Sequence, residues 1–203
     1  MNQLHDHYRL LLGLDANWKV AAVDLALEAK RVEIRLEFAG SEVRCPECGM
    51  TCARHDMAPE RTWRHLDTMQ FETILKARTP RANCTKCGVK TTEVPWAGKS
   101  SRFTLMFEAF AVQVLLAAAS VKGAAQLLGL DWDSVNAIMR RAVERGLGQR
   151  STEEVHHIGI DEKSFRSGQS YASLLIDLDG ERVLEAVEGR TRQLWLYNET
   201  NLT

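Results

Sequence analysis

Apolar residues alternate with polar ones in some stretches of this chain and recur at three- and four-residue steps in others, and the change of period divides it into segments. Leu4, Tyr8, Leu11 and Leu12 fall on one helical face, closed near Gly13. Val23, Leu25 and Leu27, then Val32, Ile34, Leu36 and Phe38, alternate with a period of two. That pattern predicts two half-buried strands joined by a turn at Glu28-Ala29-Lys30-Arg31. Met69, Phe71, Thr73 and Leu75 alternate again and predict a returning strand. Phe103, Phe107, Phe110, Val114 and Leu115 then take helical steps, and helical character persists to about residue 149. Strands return at His156–Glu162, Tyr171–Asp177 and Arg182–Val187, the last two joined by a turn at Asp177-Leu178-Asp179-Gly180. Glycines and polar residues from Gly146 to Glu154 mark the strongest domain boundary.

At 203 residues, 45% hydrophobic and 26% charged, the chain carries enough apolar surface for a core, which excludes disorder. The longest apolar run, Val114 to Ala119, is far too short to span a bilayer, and the first residues lack the basic start and cleavage site of a signal peptide. The expected location is the cytoplasm, with no membrane partner. A net charge of −1 hides an uneven distribution. Residues 44–105 carry 11 basic and 6 acidic side chains, whereas residues 151–203 carry 5 and 10. The densest basic stretch, Lys76, Arg78, Arg81, Lys86, Lys90, Lys99 and Arg102, is either a solvated face or a contact with a polyanion.

Cys45-Pro-Glu-Cys48-Gly and Cys84-Thr-Lys-Cys87-Gly are two Cys-x-x-Cys-Gly knuckles separated by 35 residues. A tight two-residue turn presents two thiolates to one ion, and two such turns complete the tetrahedron of soft ligands that zinc prefers. Cys45, Cys48, Cys84 and Cys87 are the expected ligands of one structural Zn2+ in a zinc ribbon. Disulfides are disfavoured in a cytosolic chain, and neither pair sits in the βαβ context of a thioredoxin-like redox site. Cys52, His55 and His65 lie nearby and could replace a ligand, although Cys52 reads as a small buried hydrophobe and the histidines as surface or supporting groups.

Val121 to Arg140 fits a helix-turn-helix. Ala125 is the small residue at the helix crossing, Gly129 takes the turn, and Ala124, Leu128, Leu130, Val135 and Ile138 face a shared core. Asp131 or Asp133 is placed to cap the second helix. Its predicted outer face shows Trp132, Ser134, Asn136, Ala137, Arg140 and Arg141. Asn and Arg read adenine and guanine edges, and Ser and Arg hold phosphate. Ser134, Asn136, Arg140 and Arg141, with Lys76, Arg78 and Arg81 from the basic stretch, are therefore the candidate contacts to double-stranded DNA. An ordinary helical hairpin with solvated arginines is the plainer alternative.

Further on, Gly159-Ile160-Asp161-Glu162 places an aspartate at the end of the first of three antiparallel strands, and Tyr171 opens the second. With the paired knuckles, Arg64-His65-Leu66-Asp67, Val94-Pro95-Trp96 and the helix-turn-helix, this order resembles the DDE-type insertion-sequence transposases of the ISL3 family, from Leu4 to about Thr191. The resemblance implies an α+β multidomain chain: an N-terminal helix and β-hairpin at 1–43, a zinc ribbon at 44–98, a helix-turn-helix at 99–150, and the start of a ribonuclease-H-like α/β domain at 151–203. It implies N-terminal modules that bind the terminal inverted repeats of a mobile element, in a bacterial, nucleoid-associated setting. It also implies a catalytic domain that cuts and rejoins DNA with Mg2+ held by three acids. Asp161 matches the first of these acids; Glu162 points to the opposite strand face.

The second and third acids of the family lie downstream, and the text after Thr191, ending Asn198-Glu199-Thr200-Asn201-Leu202-Thr203, departs from the expected helical segment. The expectation is a chain whose N-terminal part binds DNA and whose incomplete catalytic domain does not productively bind Mg2+, partnered by a second copy or by a full-length transposase. A transcription regulator built from a zinc ribbon and helix-turn-helix, without catalysis, is the rival reading.

Overall fold

α1 (Gln3–Leu11) leads into β1 (Trp18–Ala26) and β2 (Arg31–Phe38), which pair antiparallel around a turn at residues 27–30 as expected, but β1 buries Trp18 and Val20 while Leu25 and Leu27, read as its inner face, are exposed. The computed structural model describes residues 3–149, 155–164 and 171–189, and the chain divides into two units, Met1–Gly148 and Gln149–Thr203.

The hairpin is not a module of its own. β3 (Glu42–Arg44), β4 (Thr51–Thr68), β5 (Phe71–Cys84) and β6 (Gly88–Thr91) complete one sheet with it, in the order β1-β2-β5-β4-β3, with β6 also on β5. The joint is a parallel pairing of β2 with β5, Val32 opposite Thr73 and Leu36 opposite Ala77. Segments 1–43 and 44–98, distinct in the sequence reading, thus share a single sheet. The stretch between the knuckles also holds two long strands rather than one. Met69 is no strand residue: it sits with Gln70 in the β4–β5 turn, at φ 50° and 68°, and its side chain is exposed.

One face of the sheet buries Ile34, Leu36, Leu75 and Trp63, each contributing about 1.5–3 kcal/mol of transfer free energy. Trp96 packs edge-on against Trp18 and Trp63, at ring-centroid distances of 4.6 and 5.5 Å. Val94-Pro95-Trp96 is therefore the point where the chain after β6 is anchored back onto the sheet.

α2 (Leu105–Ala117), α3 (Val121–Leu128) and α4 (Trp132–Gly148) form a second core from Phe107, Ala111, Ala124, Ala125, Leu128, Val135 and Ile138. Each helix start is capped by a side-chain oxygen. Thr104 accepts from the Phe107 amide at 3.2 Å, Ser120 from Gly123 at 3.1 Å and Asp131 from Ser134 at 2.8 Å. Gly129 ends α3 in the left-handed region, at φ 63°, where a glycine is favoured. Leu66 reaches from β4 into this core, and Arg64 of β4 bridges to Phe103.

The second unit contains β7 (Ile158–Ser164), β8 (Tyr171–Asp177) and β9 (Arg182–Glu188), antiparallel in the order β7-β8-β9. Asp177 closes the β8–β9 turn, accepting from the Gly180 and Asp179 amides at 3.1 and 3.2 Å and from Arg182 Nε at 3.0 Å. Those amides, Gly180 first, together with Arg182, hold its carboxyl below the ordinary aspartate range. The tail from Arg192 to Thr203 lies outside the described residues.

Candidate functional site

The two knuckles meet where β3, β5 and β6 end. Cys45 and Cys48 follow β3, Cys84 closes β5, and Cys87 precedes β6. Gly49 and Gly88 stand at φ 72° and 74°, the left-handed turn that lets each knuckle fold back on itself. The four Sγ atoms all lie within 4.8 Å of one another, and Cys48 and Cys84 are 3.6 Å apart. A zinc–sulfur bond of about 2.3 Å gives a tetrahedral edge of about 3.8 Å, so the thiols are gathered to within about an ångström of zinc-ligand spacing. Amides of Cys87 and Lys86 lower the Cys84 thiol to about 7, favouring the thiolate that binds metal; the Cys87 amide lies 3.4 Å from that sulfur. The four cysteines are the residues that would hold a structural zinc ion.

Cys52 stays outside it, its Sγ directed at the Val43 carbonyl at 3.6 Å, and burial raises its thiol above the ordinary range. His55 is exposed. His65, expected as a surface or supporting group, is instead buried, with Nδ1 2.9 Å from Thr104 Oγ1.

In the helix-turn-helix, Val135 and Ile138 are fully buried and fix which side of α4 faces outward. Trp132, Asp133 and Arg140 are exposed on that side, with Asn136 and Ala137 half-buried between them. Arg140 has only a loose 3.8 Å pairing with Glu144 one turn on. Ser134 departs from expectation. It is buried, and its hydroxyl donates to Asp131 Oδ2 at 2.7 Å, so it completes the N-cap instead of the outer face. Arg141 departs too: its Nε donates to Glu108 Oε1 at 2.9 Å, on the side of α4 turned toward α2.

The basic side chains of β5 are engaged as well. Lys76 pairs with Glu33 of β2 and Arg81 with Asp56 of β4, while Arg78 donates to the Ala58 and Met57 carbonyls at 3.1 and 3.0 Å. Lys86, Lys99 and Arg102 from the same stretch are exposed.

Glu108, Ser101 and Arg145 escaped the sequence reading, although one signal was available. Glu108 is the only charged residue of α2, whose other residues apart from Gln113 are apolar, and a lone charge in such a helix needs a partner where it is buried.

Asp161 lies within β7 rather than at its end, opposite Leu174, and is exposed. Among the described residues, the only group of three or more metal-ligating side chains is the cysteine cluster. The described surroundings of Asp161 do not form a magnesium site, and no step through that ion follows from them. No described helix is long and apolar enough to cross a membrane.

Residues 92–143 match the helix-turn-helix domain of transposase family ISL3, and residues 41–87 match the zinc-finger of transposase IS204/IS1001/IS1096/IS1165. The transposase for insertion sequence element IS1557 of Mycobacterium tuberculosis is 29% identical over 194 residues, covering 91% of this chain and 43% of the relative. The transposase for insertion sequence element IS1001 of Bordetella parapertussis is 24% identical over 165 residues, covering 81% of this chain and 40% of the relative. The chain spans less than half the length of these curated relatives. No solved structure matches it. A four-cysteine ribbon and a helix-turn-helix in this order, with transposase relatives aligned along most of the chain, make this protein similar to the insertion-sequence transposases of the ISL3 kind.

Proposed function

We propose that the first unit is the part of a transposase that recognises the terminal inverted repeats of its element, with α4 entering the major groove of double-stranded DNA. The observation that carries this reading is the division of α4 into two sides. Val135 and Ile138 are buried, while Trp132, Asn136 and Arg140 lie along the opposite side at helical spacing. Asparagine and arginine supply bidentate contacts to adenine and guanine, and the exposed Lys99 and Arg102 before α2 are placed to meet phosphate. Zinc fixes the ribbon end of the sheet on which the helices are mounted. The segments 44–98 and 99–150 thus act as ribbon and reader, with 1–43 contributed to the ribbon's sheet.

The second unit is the opening of a ribonuclease-H-like domain, with Asp161 as its first acid. The three-stranded antiparallel sheet supports this reading. Binding to a nucleoid in the cytoplasm, and pairing with another transposase copy on the two element ends, follow from the same assignment.

The test is enrichment of a random duplex pool on the zinc-loaded chain, followed by footprinting on DNA that carries an insertion element. Protection of the element ends by the wild-type chain, abolished in R140A, is the expected result. Protection confined to promoter sequence would favour a transcription regulator instead, and no enrichment would overturn DNA recognition.

A further inference from the structure

We infer that Glu108 is a positioning residue for DNA recognition: its carboxylate clamps α4 through two arginines and so sets the roll of the reading helix against the zinc-bearing sheet. The inference rests on α4 being the helix that contacts DNA. Glu108 is fully buried in α2. Oε1 accepts from Ser101 Oγ at 2.8 Å and from Arg141 Nε at 2.9 Å, and Oε2 accepts from Arg145 at 2.9 Å.

Ser101 continues the path. Its hydroxyl accepts from the Phe103 amide at 3.0 Å, and its carbonyl accepts from Arg61 of β4 at 3.2 Å. A line of charge-assisted and neutral hydrogen bonds thus runs from the sheet, through Ser101 and Glu108, to two successive turns of α4. Apolar contacts alone let a helix slide or rotate by small amounts at little cost, whereas a buried carboxylate shared by two guanidinium groups has narrow geometric tolerance. Arg141 and Arg145 lie four residues apart, and Arg140 stands roughly 100° around the helix from Arg141. Fixing the inner pair therefore fixes where Arg140 and Asn136 meet the base edges. Misplacement by a fraction of an ångström weakens bidentate base contacts far more than it weakens phosphate contacts.

The experiment compares wild-type chain with E108Q, R145Q and R140A, all zinc-loaded. The probes are the duplex enriched by wild-type from a random pool and a scrambled duplex of equal length. E108Q keeps the side-chain shape and removes the charge; R145Q alters a half-exposed residue and so preserves folding if E108Q does not. Both are expected to lower the ratio of enriched to scrambled affinity, E108Q by about tenfold, with scrambled binding and its salt dependence held. Equal losses on both duplexes, or a flatter salt slope in R145Q, would assign these groups to stability or phosphate contact and overturn the inference. If R140A removes discrimination while E108Q and R145Q retain it, positioning by Glu108 fails and the DNA reading stands. If wild-type enriches no sequence, or R140A discriminates as well as wild-type, the reading of α4 fails and this inference with it.

Discussion

His65 Nδ1 lies 2.9 Å from Thr104 Oγ1, and the same threonine oxygen caps α2 by accepting from Phe107. One hydroxyl therefore links the sheet that carries the cysteine cluster to the first helix of the three-helix module. The backbone adds two bonds to this seam: Arg64 donates to the Arg102 carbonyl at 2.8 Å, and Thr104 donates to the Arg64 carbonyl at 3.0 Å. Arg64 also places its guanidinium 5.2 Å over the Phe107 ring. The Arg64-His65-Leu66-Asp67 element is thus the joint between the sheet and the helices.

Burial, and then the adjacent Arg64 charge, lower the His65 imidazole from 6.5 to about 4. The folded protein holds His65 neutral where the unfolded chain begins to bind a proton, so stability rises with pH across that window. The contribution is complete above about pH 6.5 and is lost as pH falls toward about 4. Thermal unfolding followed from pH 7 to pH 4.5 should show a drop for wild-type that is shallower in H65Q. H65Q leaves all four cysteines in place, so the difference between the two curves isolates His65. Parallel curves would show that its environment is not the one described.

Zinc binding should separate the cysteines cleanly. Ser replacements at Cys45, Cys48, Cys84 or Cys87 each break the cluster, should lower zinc content below one per chain, and should raise amide exchange in β3, β5 and β6. C52S should retain zinc, because the Cys52 thiol is directed at Val43 and not at the cluster. Elemental analysis with a thiol count decides both; a wild-type chain purified without chelator and lacking stoichiometric zinc would remove the metal site.

The knuckles and the helix-turn-helix were legible because each depends on local chemistry: ligand type at fixed spacing, and a small residue, a glycine and apolar positions at fixed offsets. β4 was not. Its residues His55-Asp56-Met57-Ala58-Pro59 show no alternation, and the ladder with β5 shifts register on both sides of Met57. Its turn was hidden too, since Met69 and Gln70 adopt positive φ where Asn-Gly would have announced a hairpin. The partners of Lys76, Arg81 and Arg141 lie on other elements, 43, 25 and 33 residues away, and pairings at that range leave no trace in local pattern.

The turn between α3 and α4 makes a stability prediction independent of any ligand. Gly129 sits at φ 63° with open space where a Cβ would stand, so G129A should cost about 1 kcal/mol from backbone conformation alone. D131A removes the oxygens that accept the Ser134 amide and hydroxyl at 2.8 and 2.7 Å, and should cost about 1 kcal/mol. Urea unfolding of the two variants and their double mutant tests both figures. A neutral G129A would mean that the turn does not hold its left-handed conformation in solution.

Arg140 and Arg141 are neighbours in sequence with opposite expected phenotypes. The Arg140 side chain is 72% exposed and only loosely paired, so R140A should leave stability within about 0.5 kcal/mol of wild-type. It should cost about 1–3 kcal/mol of affinity for the enriched duplex and relax specificity at one base pair. Arg141 is 27% exposed and holds the fully buried Glu108, so R141A strips that carboxylate of one cation and should lower stability by about 1–3 kcal/mol. Arg81 supplies the contrast on the sheet. Its partner is Asp56 on the adjacent strand, and a DNA phosphate would have to compete with that carboxylate. R81A should therefore change the slope of log affinity against log salt by less than the one charge a free phosphate contact would contribute. Urea midpoints and salt titrations of the three variants, measured side by side, decide the matter. A stable R141A together with a flattened slope in R81A would place the phosphate contacts on the arginines that are paired within the protein.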